Sequence, residues 1–288
     1  MHIPATRTAV VQGSDKCLMI DHNVAMPHPR PNELLVQVKA VAINPCDYKM
    51  YECFPCPGVV DGCDFAGVVV GLGSDVTDFK VGDKVCGAVY GSNPSRPESG
   101  LFAEYTISES EFTLKLPPNM SFREAMGLGT IGLSTIRMAI YKGLMLLGSL
   151  MEPAEKPQIV LVHGASSSVG TMSLQLLRLM GYIPIATCSL RNFNLVKKYG
   201  AEEVFDYNDP DCGKKIKLYT CNTLSYIIDP FTDLKSVALC YEAMGRAGGY
   251  YACLEMYLDY ALERRSIKVF FVMGMALLGY CLELDYGY

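Results

Sequence analysis

QIVLVHGASSSVGTMSLQLLRLMG, residues 158–181, carries the architecture of the second half of this chain. Gln158 to Gly164 is a short apolar run of the kind that forms a buried strand. From Val169 the apolar residues recur at helical spacing until Gly181, a residue type that commonly stops a helix. Between the two lies HGASSSVG (163–170), composed of small residues after its histidine. Downstream the alternation continues. YIPIATCS reads as a strand, NFNLVKKYG as a helix ending on Gly200, and EEVFDY as a third strand. The polar helix DCGKKIKLYT, the strand LSYIIDP, the helix DLKSVALCYEAMG and the strand GGYYACL follow. Such alternation predicts an α/β fold with a doubly wound parallel sheet, helices on both faces and a ligand at the carboxyl ends of the strands.

Upstream the text is different. TAVVQG, ELLVQVKAVAIN, VVDGCDFAGVVVGLG, GDKVCGAVYG and FAEYTI are short Val-rich runs separated by Gly, Pro, Asn and Asp. They predict a β-rich first domain. At Ser121 the spacing turns helical: SFREAMGLG places Ser121 and Glu124 as a capping box, and LSTIRMAIYKGLMLLGSL continues the helix. MEPAEKP (151–157) reads as a surface linker. The chain thus divides into 1–125, a connecting helix and linker over 126–156, and 157–288.

At 288 residues there is more chain than one ordinary core needs, which agrees with two domains. The net charge of −5, from 25 basic and 30 acidic residues without a long basic run, disfavours nucleic acid and anionic membranes as partners. The N-terminus lacks the charged start and apolar core of a signal peptide. The apolar run VFFVMGMALLGYCL (269–282) falls short of the roughly 20 residues that span a bilayer, and reads as a buried strand followed by a turn. Twelve cysteines without an export signal are expected as reduced thiols in a cytoplasmic protein, with Cys188, Cys240 and Cys253 acting as small core residues.

A loop of small residues between strand and helix lets the backbone approach a pyrophosphate and turns a helix N-terminus toward its charge. HGASSSVG is not a G-x-G-x-x-G; its position between strand and helix is what supports the dinucleotide reading. The following strand ends on Ser189, Leu190, Arg191 and Asn192, without the carboxylate that would hold an NAD ribose. A hydroxyl, a guanidinium and an amide suit a 2′-phosphate, so NADPH is the expected cofactor. Tyr207, at the end of the third strand, is placed to pack on adenine.

A Val-rich β domain followed by HGASSSVG in a doubly wound unit resembles the medium-chain dehydrogenase/reductase superfamily. Its quinone oxidoreductases carry HGASGGVG, so Ser167 and Ser168 replace a glycine pair here. VAINPCDYKM, GCDFAGVVVGLGSDVTDFKVGDKV, GYIPIATCS, NFNLVKKYGAEEVFDY and GRAGGYYACLE narrow the likeness. They are similar to stretches of the fungal trans-acting enoyl reductases that assist polyketide synthases and polyketide–peptide hybrid synthases. The likeness runs over nearly the whole chain from about residue 7.

That resemblance implies an N-terminal GroES-like substrate domain and a Rossmann NADPH-binding domain, in a monomer or homodimer. It implies reduction of an α,β-unsaturated polyketide thioester carried on a partner synthase's acyl carrier domain. By match of motif, Cys46, Asp47, Tyr48 and Lys49 lie beside the nicotinamide end of the cofactor. Ser167, Ser168, Val169 and Gly170 hold the pyrophosphate; Ser189, Leu190, Arg191, Asn192 and Tyr207 hold the adenosine phosphate end. Leu254 and Glu255 pass near the nicotinamide. Ile136, Arg137, Met138, Ala139, Ile140, Tyr141, Lys142 and Gly143 line the acyl channel with Met273, Gly274, Met275, Ala276 and Leu277. A cation or hydrogen-bond donor near the thioester oxygen lowers the barrier to an enolate, and Lys49, then Tyr48, are the candidates.

Cys46, Cys53, Cys56 and Cys63 crowd the neighbourhood of ECFPCPGVVDGCDF (52–65). Zinc alcohol dehydrogenases of the same superfamily keep a cysteine at the position of Cys46 and Gly-His-Glu at Gly62, Cys63 and Asp64. Their third ligand falls at Ile131 or a neighbour, where neither Cys nor His stands, and Asp64 is the nearest substitute. GSNPSRPESG (91–100) lacks the cysteines of their structural zinc lobe, and the Cys53–Cys56 pair has no second pair at zinc-finger spacing. The expectation is a zinc-independent protein. The chain ends at LDYGY, where the resembled family continues with a helix and strands that complete the first domain. The resemblance therefore implies missing C-terminal elements and weakened NADPH binding. Three readings stay open: a trans-acting enoyl reductase, a stand-alone quinone or alkenal reductase, and a non-catalytic binding protein descended from the enzyme.

Overall fold

The computed structural model describes residues 3–256 and 264–272, apart from Lys16, Gly127 and Gly129. Two compact units divide it, the first holding Met1–Ile131 and the second most of the chain from Gly132.

In the first unit β1 (Thr6–Gln12) pairs antiparallel with β2 (Leu18–Ala25). A five-stranded antiparallel sheet is built from β3 (Glu33–Ala42), β4 (Asp64–Leu72), β5 (Lys84–Ala88), β6 (Tyr105–Glu109) and β7 (Thr113–Lys115), in the order β6-β3-β4-β5-β7. Leu34 and Val36 on β3 meet Phe65 and Val69 of β4 in a core shared with Val85 and Leu101. The 91–100 loop, which has no cysteine, is held by a buried ion pair between Arg96 and Glu33, to which Glu98 adds a contact at 3.1 Å. Removing one member of such a pair leaves an uncompensated buried charge, so the loop depends on both.

Two short elements complete this unit. The first helix, α1 (Pro45–Cys53), was not anticipated from the sequence. The second, α2 (Phe122–Met126), begins at the anticipated capping box: the Ser121 N–H donates to the Glu124 carboxylate at 2.9 Å and the Glu124 N–H to Ser121 Oγ at 3.2 Å.

Helix α3 (Thr130–Met138), all but its first two residues in the second unit, widens into a π-helical turn over Ala139–Gly143. The helix expected to run on to Leu150 stops there, because the backbone of Met145 turns to a left-handed φ of 54°. The sheet that follows is parallel and six-stranded: β8 (Ile159–Val162), β9 (Ile183–Cys188), β10 (Val204–Asp206), β11 (Tyr226–Asp229), β12 (Gly249–Cys253) and β13 (Ile267–Phe271). Its order, β10-β9-β8-β11-β12-β13, reverses direction at β8, the position at which open α/β sheets leave a crevice for ligand.

The connecting helices are α4 (Ser168–Leu179), α5 (Phe193–Lys198), α6 (Cys212–Tyr219) and α7 (Leu234–Ala243). Alternate strand residues serve opposite faces. Val160, Val162, Ile228 and Ala252 join Ile136, Ile140, Leu174 and Leu177 of α3, its π turn and α4. Leu161, Ile227, Tyr251 and Cys253 join Ile216, Val237 and Cys240 of α6 and α7. Both faces are covered, which is why these strands read as continuous apolar runs. The α/β fold expected from sequence, a GroES-like β domain and a Rossmann-type sheet, is the one observed. Among the described residues no helix is long and apolar enough to cross a membrane.

Candidate functional site

The loop His163–Ser167 leaves β8 and delivers the chain into α4. Ser167 caps that helix, its Oγ accepting the Gly170 N–H at 3.1 Å, which is worth about 1 kcal/mol for a serine N-cap. The N–H groups of the first turn have no intrahelical acceptors, and the aligned peptide dipoles add partial positive charge there. Two glycines make the loop compact. A Cβ on Gly170 would lie 2.5 Å from the Ala165 Cα, and one on Gly164, at φ 57°, would strike the Phe231 ring at 2.1 Å. Ser168 is exposed at the first helical position, and Val169 is half-buried.

Beside the loop is a cavity of about 370 Å³, lined by His163, Ser166, Tyr207, Phe231, Asp233 and Lys235 among others. Asn192 donates to Ser166 Oγ at 3.0 Å and to Ser189 Oγ at 3.3 Å, so the turn after β9 is tied to the loop after β8. Leu190 and Arg191 are exposed, and among the described residues the Arg191 guanidinium has no ion pair. The Tyr207 ring stands 6.1 Å from that of His163. His163 is buried against Thr187, with Nδ1 2.9 Å from Oγ1; burial pushes its pKa below the ordinary histidine range and favours the neutral ring.

His163, Phe231, Asp233 and Lys235 were not among the residues singled out from sequence. Asp229 at the end of β11 shapes the loop that brings Phe231 in, its carboxylate accepting from Ser236 Oγ and Tyr251 Oη, both at 2.6 Å, and from the Phe231 N–H at 2.9 Å. The compact loop, the helix N-terminus and the cavity beside them fit a dinucleotide. Leu254 and Glu255 follow β12 at the same end of the sheet, their N–H groups donating to Asp229 O at 3.1 Å and Thr232 Oγ1 at 3.4 Å.

In the first unit PCDYK forms the start of α1. Pro45 takes the first helical position, and the Asp47 carboxylate accepts the Asn44 N–H at 2.7 Å. Asp47 is buried. Desolvation pushes its pKa up to about 6, opposed by hydrogen bonds from Asn44 and Cys63 and helped by the nearby Asp61 and Asp64. Tyr48 is exposed and Lys49 half-buried. Cys46 Sγ is 3.9 Å from Asp47 Oδ1 and 3.9 Å from Cys63 Sγ.

Cys46, Asp47 and Cys63 form the one cluster of metal-ligating side chains among the described residues, their ligand atoms within 4.8 Å of one another. The carboxylate beside the two thiols is therefore Asp47. Asp64, which the sequence offered as the nearest third ligand, instead accepts a hydrogen bond from the Asn44 amide at 2.9 Å. Register explains the difference, since Asp64 opens β4 while the helical turn folds Asp47 back over Cys46. Cys53 and Cys56 flank the end of α1, the first exposed and the second half-buried.

The residues expected along an acyl channel fall into two groups. Ile136, Met138, Ala139, Ile140 and Gly143 are buried, and all but Gly143 belong to the core on the α4 face of the sheet. Arg137, Tyr141 and Lys142 are exposed. Met273, Gly274, Met275, Ala276 and Leu277 lie outside the described residues.

Residues 30–118 match the alcohol dehydrogenase GroES-like domain family. Trans-enoyl reductase RAP2 of Pyricularia oryzae is 79% identical over 288 residues, covering 100% of this chain and 82% of that protein. Trans-enoyl reductase pyiC of Pyricularia grisea is 65% identical over 286 residues, covering 99% of this chain and 78% of its own length. The crystal structure of an alcohol dehydrogenase superfamily protein from Novosphingobium aromaticivorans has a TM-score of 0.78 at 21% identity, over 95% of this chain and 81% of that one, a likeness of fold.

Proposed function

The chain belongs to the fungal trans-enoyl reductases, a family of medium-chain dehydrogenase/reductase fold, and from that premise we propose that it reduces the double bond of an α,β-unsaturated polyketide thioester with NADPH. The substrate is presented on the acyl carrier domain of a partner polyketide synthase or polyketide–peptide hybrid synthase. The observation that carries the cofactor reading is the carboxylate-free turn after β9, with Arg191 exposed and, among the described residues, without an ion pair, while Asn192 is tied to the loop after β8.

NADPH, when bound, supplies the hydride that enters at the β-carbon of the thioester. Ser167, Ser168, Val169 and Gly170 hold the pyrophosphate on the N-terminus of α4, and Arg191 faces the 2′-phosphate with Ser189, Leu190 and Asn192 beside it. Tyr207 covers the adenine, with Phe231 from the loop after β11 as a second aromatic wall. Leu254 and Glu255 form part of the wall near the nicotinamide. Charge left on the thioester oxygen after hydride addition requires a donor, and Lys49 supplies it, with Tyr48 as the second donor. Cys46 and Asp47 belong to the same end of the cofactor. Buried Asp47 fixes the start of α1 and so positions the two donors. Arg137, Tyr141 and Lys142 are the exposed members of the acyl-lining set and are the ones open to substrate.

The proposed chemistry uses no metal. The test is incubation with NADPH and enoyl pantetheine thioesters of graded length. Formation of the saturated thioester with matching NADPH consumption is expected. Reduction of free quinones but of no enoyl thioester would replace the reading with a stand-alone quinone reductase. NADPH binding with neither reaction would make the chain a binding protein.

A further inference from the structure

The proposed reduction gives no redox role to the thiols of Cys46, in the first turn of α1, and Cys63, just before β4. We propose that Cys46 and Cys63 are a peroxide-responsive thiol pair, which closes to a reversible disulfide and ties the first turn of α1 to the residue preceding β4. The two sulfurs are 3.9 Å apart with both thiols free. A disulfide needs about 2.05 Å between sulfurs, a difference within reach of small side-chain rotations when the sulfurs already touch.

The pair is asymmetric in the way the chemistry needs. Cys46 is half-exposed and reachable by a small oxidant, whereas Cys63 is 1% exposed and shielded. Asp47 lies beside both, its carboxylate 3.9 Å from Cys46 Sγ and within 4.8 Å of Cys63 Sγ, which puts a proton acceptor next to the pair. Cys46 stands at the second helical position, in the first turn of α1. Cys53, though more exposed, lies at the far end of α1, and among the described residues its sulfur has no hydrogen-bond contact with Cys46 or Cys63.

The steps balance as follows. The Cys46 sulfur attacks one peroxide oxygen, an S–O bond forms and the O–O bond breaks. The peroxide is reduced to water, or to an alcohol if organic, and Cys46 is oxidised to a sulfenic acid. The Cys63 sulfur then attacks the Cys46 sulfur, the S–S bond forms, the S–O bond breaks, and the leaving hydroxyl takes the Cys63 proton through Asp47 to depart as water. Two thiols and one hydrogen peroxide give one disulfide and two molecules of water, an organic peroxide gives one water and one alcohol instead, and a dithiol reverses the change.

The test is mild hydrogen peroxide treatment of the full chain, alkylation of remaining thiols, and digestion at Lys and Asp without reduction. Cleavage there puts Cys46, the Cys53–Cys56 pair and Cys63 on three different peptides, because Lys49 and Asp61 lie between them. Expected is a linked Cys46–Cys63 peptide, released by dithiothreitol, formed at least tenfold faster than any other cross-link. In Cys63→Ser, Cys46 should instead accumulate as a dimedone-reactive sulfenic acid; wild-type mapping gives the answer even where that variant folds poorly. Cross-linking of Cys46 to Cys53 or Cys56 would overturn the proposal. So would sulfinic acid at Cys46 with Cys63 still reduced, or a zinc ion purifying with the pair and preventing its oxidation. If the function proposed above holds, turnover should fall with the cross-link and return with dithiothreitol; the peptide map stands or falls without that reading.

Discussion

Arg191 and Asp47 show how single side chains divide the work of this molecule. Arg191 is exposed after β9 and, among the described residues, has no ion pair, so its charge is available for a phosphate. A charge-assisted hydrogen bond is worth about 1.5 kcal/mol or more, so Arg191→Ala should weaken NADPH binding about tenfold. NADH binding should stay the same, and fluorescence titration of both cofactors checks this; equal losses would make Arg191 a structural residue.

Asp47 does the opposite, keeping a carboxyl out of water. Its folded pKa of about 6 lies above the value near 4 of an unfolded chain, so the fold binds this proton more tightly. Its contribution to stability is full below about pH 4 and is lost as pH rises through about 6. Asp47→Asn keeps an acceptor for the Asn44 N–H and removes the buried charge. It should match wild type in acid and exceed it by about 2 kcal/mol at neutral pH, as read from urea denaturation at several pH values. A gain independent of pH would show that the carboxylate is not buried as described.

At the scale of elements, the strand–loop–helix from β8 to α4 is the part that tolerates least change. A Cβ on Gly170 would meet backbone at 2.5 Å, and backbone cannot move aside as a side chain does. Gly170→Ala should lower the melting temperature by several degrees and abolish NADPH binding; unchanged values would mean that the loop has slack. This element was legible because it is contiguous: the run, the small residues and the helical spacing all lie within 158–181.

Other elements were legible only in part, or not at all. Strand β2 was missed because most of its side chains are exposed, so no alternation marks it. Helix α1 was missed because only Asp47 among its nine residues is buried and no apolar stripe appears. Its start signal, Asn44, Pro45 and Asp47, was nevertheless present in the text. The helix drawn through Leu150 was too long because apolar residues were counted toward it: Met145, Leu147 and Leu150 are exposed at 53% or more. In the site, Ser166, Ser189 and Asn192 meet because β8 and β9 are neighbours. Phe231 and Lys235 join them from the far side of β8, which only the strand order reveals.

Taken as a whole, the chain carries two kinds of chemistry in two units. The second has the parallel sheet, its reversal at β8 and the phosphate loop. The first has α1, which carries Tyr48 and Lys49 and whose start is capped by the buried Asp47. The change of architecture was legible in the text, since Val-rich runs broken by turn residues give way to strand–helix alternation. The donors proposed for the thioester, Lys49 and Tyr48, came from the resemblance and not from any pattern in the text, since α1 carries no periodic apolar signal. The central claim is that hydride passes from NADPH to the β-carbon of a thioester-bound enoyl chain. Deuterium at C4 of the NADPH nicotinamide, on the face that is transferred, tests it most directly, with an enoyl chain loaded on a synthase acyl carrier domain and the product read by mass spectrometry and NMR. The account predicts a saturated chain with one deuterium at the β-carbon. A saturated chain without the label, a label at the α-carbon, or no saturated chain would contradict it.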